Sequence, residues 1–378
     1  MTNTEHLLAI AAEVGVNVDE LPDTLETTLL KAIIEKSGGD TSALPDNLKS
    51  TLYLALADCV GGGGGTGGGG TGGGDDYPFY GDGKTRLYIH LLEGRTSPRL
   101  TVSPNGTVTV DWGDGSEPDV LTGTSTTTMV STPNHAYPKH GDYVITLTID
   151  GTMGFGNSAY SNSVCCLSNS DNSSDDLNKH YAYSIRAAEL SDGVVRIGTG
   201  SFYNAMNLSK ICIPESVAEI GDYAFYYCMS LQDVVLPELV KLERMSTFYY
   251  CYGLRTINIP KNARLILNKA FANCVSLRNI TIPDGVTDLR EEAFYGCLSL
   301  TKVVIPASVT SIYSYVFSGC AAVVYYDFTA STAVPTLYNT NAFNKISADC
   351  EIRVPAALVD EWKAATNWST YADKIVGV

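Results

Sequence analysis

Residues 189–328 contain a repeat with a strict period of 23 residues. Four residue types recur in register: phenylalanine at Phe202, Phe225, Phe248, Phe271, Phe294 and Phe317; proline at Pro214, Pro237, Pro260, Pro283 and Pro306; leucine at Leu208, Leu231, Leu254, Leu277 and Leu300, with Val323 in the sixth copy; and cysteine at Cys228, Cys251, Cys274, Cys297 and Cys320. A single repeat cannot bury its own apolar face. The copies are therefore expected to stack into a solenoid that needs a cap at each end.

One repeat shows how the stacking should work. Leu300, Val303 and Ile305 are expected to point inward, while Lys302 and Val304 point outward. Each repeat is thus predicted to add one short parallel strand, with neighbouring rungs about 4.8 Å apart. The proline that follows ends the strand because it has no backbone N–H to donate.

The unit reads IPxxVxxIxxxAFxxCxSLxxVxIP and resembles the BspA-type leucine-rich-repeat family. The resemblance covers residues 189–328 and implies an α/β-type solenoid with parallel strands. Members of this family occur in adhesins of host-associated bacteria and in proteins of phages that infect gut bacteria. The implied role is to present a binding surface.

The period loosens after Val324, and residues 329–378 are predicted to form the C-terminal cap. Residues 350–355 are predicted to be a last strand. An apolar stripe in the following segment predicts a helix. The stripe consists of Leu358, Trp362 and Ala365. The two cap tryptophans, Trp362 and Trp368, are assigned to the cap core and not to a ligand site.

Residues 77–168 show the alternation of apolar and polar residues that is typical of strands, broken by Asp-Gly turns. This pattern predicts an antiparallel β-sandwich. The strings VDWGDGS and NHAYPKHGDYVITLTI resemble the polycystic-kidney-disease (PKD) type of immunoglobulin-like domain, which implies that Trp112 anchors the core and that His135 and Tyr137 form the family's His-x-Tyr. Residues 169–188 are assigned to a linker or N-terminal cap.

Two aspartates of the sandwich, Asp111 and Asp114, could serve as calcium ligands. Turn capping is the preferred interpretation, because aspartates in turns commonly accept hydrogen bonds from their own backbone.

Residues 1–60 are predicted to form a helical anchor or oligomerisation segment, because Pro-Asp pairs precede residues with helical apolar spacing. Such a short stretch buries little surface alone. It could pack against copies of itself, against a partner, or into a small bundle of its own. Residues 61–76 are assigned to a poly-Gly linker, a flexible tether.

The amino-acid composition limits the classes of partner that the chain is expected to bind. The net charge is −16 and no segment is basic, which argues against nucleic acid and anionic lipid. The first 16 residues lack the basic start of a secretory signal, and no stretch is long and apolar enough to cross a bilayer. The periodic cysteines are interpreted as buried thiols in preference to disulfides. No catalytic motif, metal-ligand spacing or cofactor signature is present in the sequence.

Two solenoid surfaces are candidates for ligand contact. The outward strand positions are small, mixed and weakly charged: Lys210, Asp233, Thr256, Asn279 and Lys302 in one row, and Cys212, Val235, Asn258, Thr281 and Val304 in the other. The opposite side is rich in tyrosine, which suits contact with sugars or proteins. The candidate ligand-binding residues are Tyr203, Tyr226, Tyr227, Tyr249, Tyr250, Tyr252 and Tyr295. A purely structural role, covering the turn side of the solenoid, is the competing and preferred interpretation.

The predicted order of anchor, tether, sandwich spacer and repeat tip leads us to expect a non-enzymatic phage virion protein, a tail or head fibre made in the host cytoplasm. It would dock on other virion proteins through residues 1–60 and contact a host-surface protein or mucosal glycan through the solenoid. Neither nucleic acid binding nor membrane insertion is expected, and homo-oligomers are compatible with the anchor. The alternatives are a BspA-type adhesin on the bacterial cell surface and an intracellular scaffold that binds a protein.

Overall fold

The fold is described by a computed structural model that covers residues 77–156, 165–168, 181–242 and 244–378. The predicted helical anchor (1–60) and poly-Gly linker (61–76) lie outside these residues. Within the described residues the chain is almost entirely strand and turn, with little helix.

The first part of the described chain is an antiparallel β-region. Its strands are β1 (Thr85–Leu91), β2 (Arg99–Asp111), β3 (Asp119–Thr124), β4 (Val130–Ser131), β5 (Gly141–Phe155) and β6 (Leu167–Ser168). Strand β2 pairs in antiparallel fashion with β3, β4, β5 and β6, and β5 pairs with β1. The predicted alternation is visible in β2, where Val108 and Val110 are buried and Asp111 is exposed.

Trp112 lies at the centre of a polar and aromatic cluster in this β-region. It is fully buried and stacks on the His135 ring at a centroid distance of 4.5 Å. Its indole N–H donates to Asp119 at 2.9 Å, and the Tyr137 hydroxyl donates to the Trp112 carbonyl at 2.9 Å. The expectation that Trp112 is a core residue is confirmed.

The β-region is continuous with the solenoid. Strand β1 pairs with β7 (Ile185–Glu189), and β5 runs parallel to and pairs with β8 (Val194–Ile197). A buried ion pair crosses the junction, with the Arg86 guanidinium 2.9 Å from the Glu189 carboxylate. The hairpin-like pair β1–β5 therefore covers the first rung of the solenoid, as a cap must.

The solenoid contains two columns of stacked parallel strands, where the sequence predicted one strand per repeat. The first strand column contains β7, β9 (Lys210–Cys212), β11 (Asp233–Val234), β12 (Thr256–Ile257), β14 (Ile280–Thr281), β16 (Lys302–Val304), β18 (Tyr325–Asp327), β20 (Glu351–Val354) and β21 (Ile375–Gly377). The second contains β8, β10 (Glu219–Ile220), β13 (Leu265–Ile266), β15 (Asp288–Leu289), β17 (Ser311–Ile312) and β19 (Thr336–Leu337). As predicted, Leu300, Val303 and Ile305 are fully buried.

The side opposite the first strand column is built from turns, which corrects the expected α/β-type solenoid. Two positions in each repeat, four residues apart, have left-handed backbone. One set is Gly200, Tyr223, Ser246, Lys269, Glu292 and Tyr315; the other is Asn204, Tyr227, Tyr250, Asn273, Gly296 and Gly319. A left-handed residue cannot continue a right-handed helix, so each connection stays a double turn.

The periodic phenylalanines and cysteines fill the core of these turns. Consecutive phenylalanine rings stack almost parallel, with centroids between 5.1 and 5.8 Å apart. Each cysteine of the column Cys228, Cys251, Cys274, Cys297 and Cys320 is fully buried, and its Sγ donates to a phenylalanine carbonyl of the preceding rung at 3.1 to 3.2 Å. The nine described cysteines are free thiols.

The C-terminal cap contains two more strands than predicted, β19 and β21. Strand β20 overlaps the predicted last strand, but β21 adds to it in parallel. Helix α1 (Val359–Ala364) is only six residues long and is followed by a 3-10 turn at Trp368–Tyr371. Trp362 and Trp368 are fully buried and 4.6 Å apart, which confirms that they are cap core.

Candidate binding surfaces

Six of the seven candidate tyrosines form one connected cluster on the turn side, which we call the tyrosine cluster: Tyr203, Tyr226, Tyr227, Tyr249, Tyr250 and Tyr252. Tyr203 stacks on Tyr226 at 4.9 Å, and Tyr227 stacks on Tyr250 at 4.4 Å. Tyr249 and Tyr250 are 4.0 Å apart, and the Tyr249 hydroxyl donates to the Tyr250 hydroxyl at 3.0 Å. The 23-residue period places these rings together because each repeat adds one rung.

The tyrosine cluster is mostly packed against itself. Tyr227 and Tyr252 are buried, whereas Tyr203, Tyr226 and Tyr249 are half-buried. Burial raises the pKa of the Tyr226 and Tyr249 hydroxyls, so these groups act as neutral hydrogen-bonding groups. Ring edges and hydroxyl tips are therefore what the cluster offers to a ligand, since most ring faces contact another ring.

Tyr295 stands apart from the cluster. The position one repeat earlier is Ala272, which interrupts the row of rings. Tyr295 is half-buried, and its carbonyl accepts the Asn273 backbone N–H at 2.6 Å. The structure thus joins six of the candidate residues and leaves the seventh separate.

The second surface is the outer face of the first strand column. All ten of the predicted outward positions are exposed, which confirms the predicted direction of their side chains. Val235 and Val304 are the most exposed apolar members, at 76% and 52%. A groove of about 790 Å³ crosses β11, β12 and β14 on this face.

The groove coincides with an interruption of the strand ladder. Among the described strands, β12 pairs only with β11 and β14 pairs only with β16. On either side of the groove the rungs stay connected. Residues 265–266 pair with residues 288–289, and the Phe248 N–H donates to the Ala270 carbonyl at 2.9 Å. The groove therefore lies over the outer face of three rungs in a continuous solenoid.

Asn258 changes the hydrogen bonding between the rungs of β11 and β12. Its side-chain Oδ1 accepts the Leu236 N–H at 2.7 Å, and its Nδ2 donates to the Leu236 carbonyl at 2.9 Å. In the intact part of the column, the Ile305 N–H donates instead to the backbone carbonyl of Asp327 at 2.8 Å. The amide of Asn258 thus takes a place that backbone atoms fill elsewhere. Sequence reasoning placed Asn258 outward but missed its two hydrogen bonds to Leu236. The signal was one amide in a column otherwise made of Cys, Val and Thr.

The aspartates considered as calcium ligands are engaged in turns. Asp111 accepts the Gly113 N–H at 2.9 Å and Asp114 accepts the Ser116 N–H at 3.0 Å. The other Asp114 oxygen lies 2.8 Å from His135 Nε2. Burial opposes ionisation of Asp114, but the hydrogen bonds from Ser116 and His135 outweigh it and lower its pKa. In the part of the chain that the structure describes, no three His, Cys, Asp or Glu side chains are placed to hold a metal ion.

None of the described helices is long and apolar enough to span a bilayer.

Several solved structures show similarity to the chain. A leucine rich cell surface protein from Faecalibacterium prausnitzii is 28% identical over 47% of this chain and 57% of its own, with a TM-score of 0.39. A leucine rich repeat protein from T. pallidum is 24% identical over 50% of this chain and 88% of its own, with a TM-score of 0.30. One from Bacteroides ovatus is 15% identical over 71% and 80%, with a TM-score of 0.26. The chain thus spans little more than half the length of the first of these, and no curated protein matches it.

The repeats themselves match a family model. The model, described as the BspA type leucine rich repeat region, matches in six copies over residues 178–297 and 243–358. These residues contain most of both strand columns, the stacked phenylalanines and the cysteine column. The repeats within residues 178–358 are therefore of the BspA leucine-rich-repeat type.

Proposed function

We propose that this chain is a non-enzymatic binding protein displayed on a biological surface, whose solenoid contacts a protein or glycan. The observation that carries the proposal is the BspA-type repeat region, whose outward positions are exposed along the first strand column. A stacked solenoid provides an extended contact surface without moving parts.

The bacterial cell surface is the setting that we favour, because BspA-type repeats are typical of bacterial adhesins. A fibre on a phage particle is the second setting. It is supported by the predicted order of helical anchor, poly-Gly linker and repeat tip, in which residues 1–60 would dock on other virion proteins. In this proposal residues 77–168 are a PKD-like spacer. The antiparallel pairing of β2 with β3 and β5 and the burial of Trp112 support that assignment.

The two solenoid surfaces suit different kinds of ligand contact. The tyrosine cluster offers hydroxyl tips and ring edges, which suit hydrogen bonds to sugars or to protein backbone. The outer face of the first strand column offers exposed valines beside small polar side chains. We keep both surfaces as candidates, together with the separate Tyr295.

Two experiments test the proposal. Mass spectrometry and antibody labelling of fractionated cultures should find the chain on cell envelopes; recovery at structural-protein stoichiometry in purified phage particles would select the second setting. Recovery in the soluble cytoplasm alone would contradict both.

Binding of the full-length labelled protein to mucin-coated surfaces and to host-associated bacterial or epithelial cells should be saturable. A variant with Val235→Glu and Val304→Glu should lose binding if the strand face is used. Tyr203→Ser and Tyr226→Ser should reduce it if the tyrosine cluster is used. Absence of saturable binding to any of these surfaces would refute the proposed function.

A further inference from the structure

The second strand column carries three stacked side chains near the C-terminal cap, which we call the aromatic platform: Arg290, Tyr313 and Tyr338. Each of them directly follows a strand of the column, β15, β17 and β19, so the three lie on successive rungs. The Arg290 guanidinium lies over the Tyr313 ring, 4.4 Å from its centroid. The Tyr313 and Tyr338 rings stack at a centroid distance of 4.3 Å, with their planes 16° apart.

The aromatic platform is held in place by backbone and side-chain contacts. The backbone N–H of each member donates to a carbonyl of the preceding rung at 2.8 to 3.0 Å. Arg290 also lies 3.0 Å from the Asp288 carboxylate, and the hydroxyls of Tyr313 and Tyr338 hydrogen bond to each other. Because the rings are already ordered, a ligand that stacks on them does not have to immobilise them, which lowers the entropic cost of binding.

Tyr338 presents one ring face to solvent. Among the described strands, β19 pairs only with β17, so no further rung of this column covers Tyr338. The side chain is 53% exposed although Tyr313 covers its other face. In the tyrosine cluster, by contrast, most ring faces contact another ring. Tyr338 therefore offers a flat apolar face of a kind that the tyrosine cluster lacks.

The surroundings of this open face are polar and uncharged. Thr336 lies on the same side of β19 as Tyr338, and Asn339 is the next residue along the chain; both are exposed. The Asn339 Oδ1 accepts the Asn341 N–H at 3.2 Å, which orients the amide. A ring face bordered by hydroxyl and amide groups suits a neutral pyranose, because the C–H face of such a sugar is apolar and its hydroxyls are polar.

Three other classes of ligand fit less well. A protein partner is held best by an anchor in a well-packed apolar pocket, whereas Tyr338 is bordered by polar side chains. An added peptide strand needs an open strand edge, but the Asn367 Nδ2 already donates to the Leu337 carbonyl at 2.7 Å. An anionic ligand needs an available cation, but Arg290 is paired with Asp288 at the covered end of the stack.

We propose that the aromatic platform binds a neutral pyranose sugar of a glycan, with the C–H face of the sugar stacked on the open face of Tyr338. The sugar hydroxyls hydrogen bond to Thr336 and Asn339, and Tyr313 and Arg290 act as positioning residues that hold Tyr338. The inference rests on the proposed binding function. It names the ligand class and a site outside the two surfaces described above.

The test uses the full chain and the methyl glycosides of β-galactose, β-glucose, N-acetyl-β-glucosamine and α-mannose in NMR titrations. We expect at least one to bind saturably. Protons of one face of the sugar should receive the most saturation from the protein and shift upfield, because they lie over an aromatic ring. Tyr338→Ser should weaken binding about tenfold or more, whereas Tyr338→Phe keeps the ring face and should bind within about threefold of the unchanged protein.

Tyr80→Ser is the matched control, because Tyr80 is also an exposed tyrosine whose ring lies over an arginine, Arg86, at 4.5 Å. It belongs to the segment before β1 and should leave sugar binding unchanged, and thermal unfolding checks that each variant is folded. Three results would overturn the proposal: equal effects of the two serine variants, loss of binding in Tyr338→Phe as complete as in Tyr338→Ser, or no saturable binding of any of the four glycosides.

Failure here is distinguishable from failure of the proposed function. If binding to cells or mucin is saturable while all four glycosides fail, the solenoid binds by another surface. If enzymatically deglycosylated mucin binds as well as untreated mucin and Tyr338→Ser abolishes both, the aromatic platform binds protein and the sugar inference is wrong.

Discussion

Replacing Asn258 by alanine tests whether its side chain takes the place of backbone in the strand ladder. The change removes two hydrogen bonds, at 2.7 and 2.9 Å, that connect one rung to the next through the buried Leu236. Each such bond contributes about 1 kcal/mol net, and a buried group left without a partner costs about 1–3 kcal/mol. Water can enter the adjacent groove and replace part of this loss. We therefore expect Asn258→Ala to reduce the free energy of unfolding by about 2 kcal/mol.

The measurement is thermal and guanidinium unfolding of the full chain, with hydrogen exchange as a local readout. A loss of about 2 kcal/mol corresponds to a fall in Tm of roughly 4–8 °C for a domain of this size. Amide exchange should accelerate in residues 233–240 and remain unchanged in the C-terminal cap.

Thr281→Ala is the matched control. It occupies the same exposed position in the next rung, and its side chain makes no such pair of bonds to the preceding rung, so its effect should stay within about 0.5 kcal/mol. If Asn258→Ala changes stability no more than Thr281→Ala and exchange at residues 233–240 is unaltered, the two hydrogen bonds to Leu236 do not stabilise the ladder as argued.

Three further predictions concern the solenoid core and the β-region. Phe294→Ala should cost about 3–5 kcal/mol, because the ring is fully buried between two others, and a loss below 1 kcal/mol in guanidinium unfolding would contradict the stacking. In native thiol labelling with peptide mapping, Cys212 should react, whereas the cysteine column should react only after denaturation. Burial raises the pKa of the column thiols, to about 12 at Cys320. Comparable labelling rates in the native protein would refute this prediction. The lowered pKa of Asp114 implies a stabilising contribution that is present above the ordinary value of 3.8 and is lost as the pH falls below it. Asp114→Asn should therefore flatten the dependence of unfolding free energy on pH in the acid range. An unchanged acid profile would contradict a stabilising role for the Asp114 carboxylate.

The sequence predicted the parts of the fold that depend on period. Phe271 and Cys274 recur because every rung has the same core position, and a side chain such as Val303 points inward because strands alternate. The second strand column was not predicted. Its strands are mostly two residues long, as at Glu219–Ile220, which is too short for alternation to appear.

The turns and the groove depend on backbone geometry that residue type does not specify. Tyr223 and Tyr250 adopt left-handed backbone, a region that sequence rules reserve for glycine and asparagine. The pattern is visible only by comparison with Gly200 and Gly296 at the same positions. For Asn258, its place in the repeat predicts exposure, but whether its amide replaces a backbone carbonyl depends on how the preceding rung is placed. The sequence predicted which tyrosines lie together, because the 23-residue period places them on neighbouring rungs. It did not predict how their rings stack.

The position of β1 has a mechanical consequence for a protein held at one end. Any tension transmitted through the residues before Tyr77 enters the described chain at β1, which is hydrogen bonded along one edge to β5 and along the other to β7. Pulling along the strand loads these two rows of bonds in shear, so that many must yield together. The buried Arg86–Glu189 ion pair is loaded with them. An arrangement of this kind resists detachment under flow far better than a strand peeled from a free edge, and it transfers the load directly to the first rungs of the solenoid.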